Sequence, residues 1–134
     1  MKLSENFSSE EFACKCGCGF DLIDPALILI LEDVRAHFNK FYAGKVTIKI
    51  NSGCRCPEHN ANEGGAERSQ HLPAGHYGYA GAADFVVKHD GAPIDQDKVA
   101  DYLEGKYPHM LGIGRYRGRT HVDVRTGCAR WDKR

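Results

Sequence analysis

Leu111-Gly112-Ile113-Gly114-Arg115-Tyr116 and Thr120-His121-Val122-Asp123-Val124-Arg125 flank a short Arg117-Gly118-Arg119 turn. Their alternation reads as two strands of a hairpin. Successive side chains of a strand point to opposite faces. Val122 and Val124 therefore share one face, and His121, Asp123 and Arg125 share the other. The apolar face needs a layer to pack against, and the polar face collects an imidazole, a carboxylate and a guanidinium. This hairpin sets the fold class and also shows where chemistry would be built.

Working outward, residues 80–87 are apolar and β-prone, with Asp84 their only charge. An acidic side chain inside a strand needs a partner to offset its desolvation. Val46-Thr47-Ile48-Lys49-Ile50 alternates as a third strand and runs into Asn51-Ser52-Gly53-Cys54-Arg55, which would place Arg55 at the end of a core strand. Asp24-Pro25 supplies an N-cap and a proline at the first helical position. Ile28, Leu31, Val34, Phe38 and Phe41 follow at helical spacing, with Gly44 as the stop and both phenylalanines expected in the core. Residues 94–107 read as another helix with Val99, Tyr102 and Leu103 inward. Ser8 and Glu11 have capping-box spacing, and Pro57-Glu58-His59-Asn60-Ala61-Asn62 fits a short helix. Residues 71–79, rich in Gly, Pro and Tyr, cannot be regular, and Tyr77 and Tyr79 there are candidates for a substrate wall or lid. The expected fold is α+β, a small antiparallel sheet flanked by helices, in one domain over residues 1–134 without repeats or linkers.

Lys+Arg and Asp+Glu both number 18, so the chain is formally neutral. No global field recruits nucleic acid or an anionic membrane surface. Neither an apolar run of membrane-spanning length nor the apolar core of a signal peptide is present. The expectations are cytoplasmic synthesis, no membrane insertion and a monomer. Cys14, Cys16, Cys18, Cys54, Cys56 and Cys128 therefore read as thiols rather than a disulfide framework. Burial as free thiols is the expected state. A second zinc on the Cys14-Lys15-Cys16-Gly17-Cys18 run, shared with Cys54 or Cys56, is the alternative, although that run is tighter than the usual two-residue gap between ligands.

A catalytic zinc takes three protein ligands of His or carboxylate type and leaves a fourth position to water. His71, Asp84 and His121 make such a set. Asp123, on the same strand face as His121, is placed to serve as general base without being a ligand.

These residues fall in a pattern that resembles the zinc D,D-peptidases of peptidoglycan, the zinc D-Ala-D-Ala carboxypeptidase family that includes compact phage endolysin domains. Ser69-Gln70-His71 matches its Ser-x-His motif, Ala82-Ala83-Asp84 its Gly-x-Ala-x-Asp motif, and His121-Val122-Asp123 its C-terminal motif. Phe7 and the residues after it to Gly19, Ser52-Gly53-Cys54-Arg55-Cys56-Pro57-Glu58-His59-Asn60, Gly112-Ile113-Gly114-Arg115-Tyr116 and Arg130-Trp131 extend the match. The resemblance implies Zn2+ on His71, Asp84 and His121 and a catalytic Asp123. It also implies that Arg55 polarises the scissile carbonyl or steadies the oxyanion, and that Ser69 binds a substrate carboxylate or backbone. The implied fold is the small α+β one shared with the hedgehog signalling domain. The implied partners are peptidoglycan stem peptides, cut by a D-Ala-D-Ala carboxypeptidase or a D,D-endopeptidase after release of the protein to the wall. The alternatives are a phage-type L-Ala-D-Glu endopeptidase, an inactive metal-stabilised wall-binding module, and a cysteine-rich zinc adaptor. The family usually spaces the His and the Asp by seven residues; here His71 and Asp84 lie farther apart, and Ala80 stands at the glycine position. The extra loop also makes His76 a rival ligand to His71.

Overall fold

The structure is a computed structural model that describes residues 1–73 and 78–134. His76 and Tyr77 lie outside the described residues. A 3-10 helix, Ser9–Phe12, opens the chain; the Glu11 carboxylate accepts the Ser8 N–H at 2.7 Å, as the capping-box spacing predicts. Then follow α1 (Pro25–Asn39), β1 (Val46–Ser52), α2 (Pro57–Asn62), β2 (Ala82–His89) and β3 (Ala92–Pro93). The chain continues through α3 (Gln96–Lys106), β4 (Leu111–Tyr116), β5 (Arg119–Asp123) and β6 (Cys128–Asp132).

The sheet runs β1-β2-β5-β4-β6, with β3 paired to β2. The α+β class stands. The sheet is mixed, however, because β6 lies parallel to β4 while the other pairs are antiparallel. That sixth strand, Cys-Ala-Arg-Trp-Asp, has no apolar alternation of its own and borrows its conformation from β4.

Alternation sorts the sheet into two faces. Val46, Ile48, Ile50, Ala83, Phe85, Val87, Ile113 and Val122 join Leu27, Leu31 and Val34 of α1 and Val99 and Leu103 of α3 in one core. Asp84, His121 and Asp123 consequently face away from α1 and α3. Asp24 caps α1 by accepting the Ala26 N–H at 2.9 Å. The helix ends at Asn39, before the expected glycine stop, because the Lys40 and Phe41 amides turn back to His37 and Phe38 in a tighter closing turn. That turn keeps Phe38 in the core and swings Phe41 outward to 70% exposure, against the expectation that both are buried. α3 is shorter than the 94–107 expected, since Asp95 caps it by accepting the Asp97 N–H. Val99 and Leu103 point inward as predicted, and Tyr102 is half-buried. The buried Gln96 side chain completes the β2 ladder, accepting the Val87 N–H and donating to the Val87 carbonyl, both at 3.0 Å.

Two features prepare the polar face. The β1–β2 register slips between Ile50 and Ser52, and such irregularities re-aim a strand end. The bend delivers Gly53 and Arg55 beside Asp84, which pairs with Ser52 across the ladder. Leu111 has a φ of +72°, a left-handed conformation costing about 1–2 kcal/mol for a residue with a Cβ. Its side chain is buried, and the Arg130 guanidinium donates to the carbonyls of Leu111, Ala129, Tyr107 and Met110, holding the turn into β4.

Candidate metal centre

Asp84 on β2 and His121 on β5 are direct cross-strand partners, and such pairs bring side chains on one face into contact. His71 comes from the preceding loop and is held from three sides. Its N–H donates to Ser69 Oγ at 3.2 Å, its carbonyl accepts the Arg55 N–H at 2.8 Å, and its Nδ1 lies 2.6 Å from the Gly53 carbonyl. A carbonyl only accepts, so Nδ1 carries the proton and Nε2 presents its lone pair. That lone pair lies 3.2 Å from Asp84 Oδ2. Two acceptors face each other there, and a cation or a further proton between them satisfies both.

His121 tells the same story. Its Nδ1 is 3.0 Å from Asp84 Oδ1 and its Nε2 is 2.8 Å from Asp123 Oδ2. A neutral imidazole has one proton for these two carboxylates. Burial disfavours a charged ring, but hydrogen bonds to Asp123 and Asp84 outweigh it and raise the His121 pKa. Asp84 goes the other way: burial pushes its carboxyl up, yet His121 and His71 hold it well below the usual carboxylate range. The ligand atoms of His71, Asp84 and His121 all lie within 4.8 Å of one another. Zinc bonds of about 2.0–2.2 Å to N and O require tetrahedral edges of about 3.3–3.6 Å, close to the 3.0 and 3.2 Å found here. The donor set fits a zinc ion. The longer loop between the motifs does not keep His71 from Asp84; His76 lies outside the described residues.

These side chains line a cleft of about 660 Å³ together with Arg55, Glu63, Arg68, Ser69, Arg119, Asp123, Arg125, Trp131 and Lys133, among others. Arg55 reaches the cleft from the loop just after β1, since the strand stops at Ser52 before the expected end at Arg55. Its Nη2 lies 3.6 Å from Asp84 Oδ2, and Ser52 Oγ and Asn60 Oδ1 hold Nε and Nη1 at 3.2 and 3.3 Å.

A scan against protein-family models matches residues 5–123 to the family described as Peptidase M15. The chain belongs to the M15 family of zinc D,D-peptidases. The matched span includes every candidate site residue and every element from the N-terminal 3-10 helix to β5. No curated protein matches the chain. M15 peptidases are typically zinc-dependent, in keeping with the donor set of His71, Asp84 and His121.

Other features of this M15 peptidase were not assigned from sequence. Asp123 is fully buried, and both its oxygens are taken: Arg125 donates from Nε to Oδ1 and from Nη2 to Oδ2, each at 2.7 Å. Burial raises its pKa, but Arg125 and His121 hold it well below the ordinary carboxylate range. A Cβ at Gly112 would collide with this ion pair, which accounts for glycine opposite Asp123 in the β4–β5 ladder. The placement of Arg125 two residues beyond Asp123 was the available signal. Trp131 of β6 packs on His121, ring centroids 5.0 Å apart, and donates to the Tyr116 hydroxyl at 2.8 Å. Arg68, Arg119 and Lys133 also line the cleft, with no ion-pair partner among the described residues. A chain of zero net charge thus has a cationic cleft rim.

The cysteines depart from the expectation of burial: Cys14 and Cys54 are buried, whereas Cys16, Cys18 and Cys128 are exposed and Cys56 is intermediate. No described helix is long and apolar enough to cross a membrane.

Proposed function

We propose that the protein is a zinc peptidase that hydrolyses peptide bonds in the stem peptides or cross-links of peptidoglycan, acting as a D-Ala-D-Ala carboxypeptidase or D,D-endopeptidase. The observation that carries this reading is the convergence of His71, Asp84 and His121, two acceptors facing each other across 3.2 Å, in an M15 chain. A zinc ion held by these three side chains supplies a Lewis acid for the scissile carbonyl and lowers the pKa of water. Arg55 lies in the loop just after β1 with its guanidinium already held by Ser52 and Asn60. A donor fixed in advance stabilises a developing oxyanion without reorganising. Ser69 accepts from the His71 N–H, which leaves its hydroxyl proton free for a substrate carbonyl or carboxylate.

Asp123 takes a different part from the one its sequence position suggests. It contacts His121 Nε2, on the opposite side of the ring from the nitrogen that faces Asp84. From there it fixes the ring's tautomer and orientation, as a carboxylate behind a ligating histidine does. Service as the general base would require it to exchange Arg125 for water.

Arg68, Arg119 and Lys133 favour an anionic substrate, and stem peptides carry carboxylates, including that of a terminal D-Ala. This supports the carboxypeptidase assignment within the D,D class. The test is digestion of purified peptidoglycan by the zinc-loaded protein, with mass spectrometry of the soluble products. Free D-Ala or uncrosslinked stems are expected. Cleavage between L-Ala and D-Glu would replace the D,D assignment. Wall binding without any released fragment would contradict the enzymatic reading.

A further inference from the structure

Four cysteines that do not line the cleft meet at the end of the 53–56 segment. Cys14, Cys16 and Cys18 come from the loop after the N-terminal 3-10 helix, and Cys56 comes from the residue before α2. All four sulfurs lie within 4.8 Å of one another. Cys14 and Cys16 Sγ are 3.4 Å apart, and Cys16 and Cys56 Sγ are 3.6 Å apart. A disulfide needs about 2.05 Å, and all four are free thiols. A zinc ion with four sulfurs at about 2.3 Å gives sulfur–sulfur edges of about 3.8 Å. The observed separations are those of a cluster surrounding an ion, contracted by a few tenths of an ångström.

The surroundings suit thiolates. The Cys56 N–H points at Cys14 Sγ and the His59 N–H at Cys56 Sγ, each at 3.4 Å. Gly17, with a φ of +83°, reverses the chain between Cys16 and Cys18 and donates its N–H to the Cys14 carbonyl. That reversal lets ligands separated by single residues turn to a common centre. Cys54, the other choice from the sequence, faces the core and donates its S–H to the Leu22 carbonyl at 3.5 Å.

We propose that Cys14, Cys16, Cys18 and Cys56 form a second metal site, a closed four-thiolate zinc centre that fixes the 53–56 segment beneath the catalytic cleft. Four sulfur ligands leave no position for water, which makes the site structural rather than catalytic. The fixed segment carries the Gly53 carbonyl that sets the His71 tautomer and the Arg55 guanidinium that reaches the cleft. Other anchors of the segment are the Cys54 N–H to Phe12 carbonyl bond and the Arg55 N–H to His71 carbonyl bond, both at 2.8 Å. Without the ion, the segment that carries Arg55 and the Gly53 carbonyl loses the anchor at Cys56.

The test uses the full chain purified under reducing conditions, with metal content measured and cobalt exchanged for zinc. Two metal ions per chain and a thiolate-to-cobalt charge-transfer band are expected. The Cys16→Ser/Cys18→Ser variant should lose one ion and the band, whereas Asp84→Ala should lose one ion and keep the band. Should the cysteine variant fail to fold, the native wild type decides. Its clustered thiols should resist a thiol reagent until a chelator releases one zinc, then react together. Unchanged stoichiometry in the cysteine variant, a missing band, reaction of the four clustered thiols before any chelator is added, or a mass deficit showing disulfides among the four would each overturn the proposal. These readouts report sulfur ligation alone, so an inactive protein with the band contradicts only the peptidase reading.

Discussion

The two clusters of ligating side chains, His71–Asp84–His121 and Cys14–Cys16–Cys18–Cys56, differ in every respect that decides what a metal does. The first is buried, built mainly on paired strands, and supplies three mixed N and O donors facing a cleft. The second is largely exposed, built on a loop and the residue before a short helix, and supplies four sulfurs. An incomplete set on rigid elements leaves room for substrate, whereas a complete set on irregular chain ties that chain down. The 53–56 segment touches both, through Gly53 and Arg55 on one cluster and Cys56 in the other, so on the two-site proposal an ion on the sulfurs would brace the residues beside His71 and Asp84.

The largest expected effect comes from Asp84→Ala, which removes the carboxylate shared by both histidines. Loss of a Lewis-acid centre is worth several kcal/mol, on the order of a thousandfold or more in rate. Peptide hydrolysis should fall to background while the thiolate–cobalt band persists; hydrolysis close to wild type would break the distinction between the clusters. Asp123→Asn comes next, because an amide cannot be both the acceptor for His121 and the anion for Arg125. A residue behind a ligand typically changes metal affinity or activity by about 10- to 100-fold. If Asp123 orients His121, zinc affinity drops and added zinc restores part of the rate. A variant with full zinc affinity, a lost kcat and no acid limb in its pH profile would instead make Asp123 the general base.

Smaller effects lie away from both clusters. Arg130→Ala strips four carbonyls of a charged donor beside the left-handed Leu111. A loss of about 1–3 kcal/mol is expected in denaturant unfolding, with metal content unchanged; loss of either ion would mean that the β4 turn supports a metal cluster. On α1, Glu32 anchors Ser4 and Asn6, and Asp33 anchors Tyr102, Lys106 and Tyr107. Burial raises both pKa values, but these partners lower them further. A depressed carboxylate stabilises the fold above its unfolded pKa of about 4 and loses that contribution as pH falls through the folded value. Unfolding of the metal-free protein should therefore become easier below about pH 4, and Asp33→Asn should flatten that dependence.

Much of this was legible in the chain. Asp24-Pro25 announced α1, alternation announced β1 and the β4–β5 hairpin, and the faces of β5 placed His121 beside Asp123. Phe41 was misjudged because helical spacing continues past the residue where the backbone tightens, and only the closing turn decides which way the ring goes. β6 was invisible because its conformation is imposed by a parallel partner rather than by its own pattern. The thiol cluster was half legible. Its tight cysteine run is local, but its fourth member stands 40 residues from Cys16, and nothing local separates Cys56 from the core-facing Cys54. The shared strand face put Asp123 beside His121, but a strand face alone does not say which ring nitrogen the carboxylate touches.

The most direct measurement is hydrolysis of a pentapeptide stem ending in D-Ala-D-Ala by chelator-stripped protein as zinc is restored, beside Asp84→Ala treated identically. Release of D-Ala that returns with zinc in the wild type and never in Asp84→Ala is the predicted result. Equal release by stripped and zinc-restored wild type, or a zinc-dependent Asp84→Ala enzyme, would contradict the assignment of catalysis to His71, Asp84 and His121.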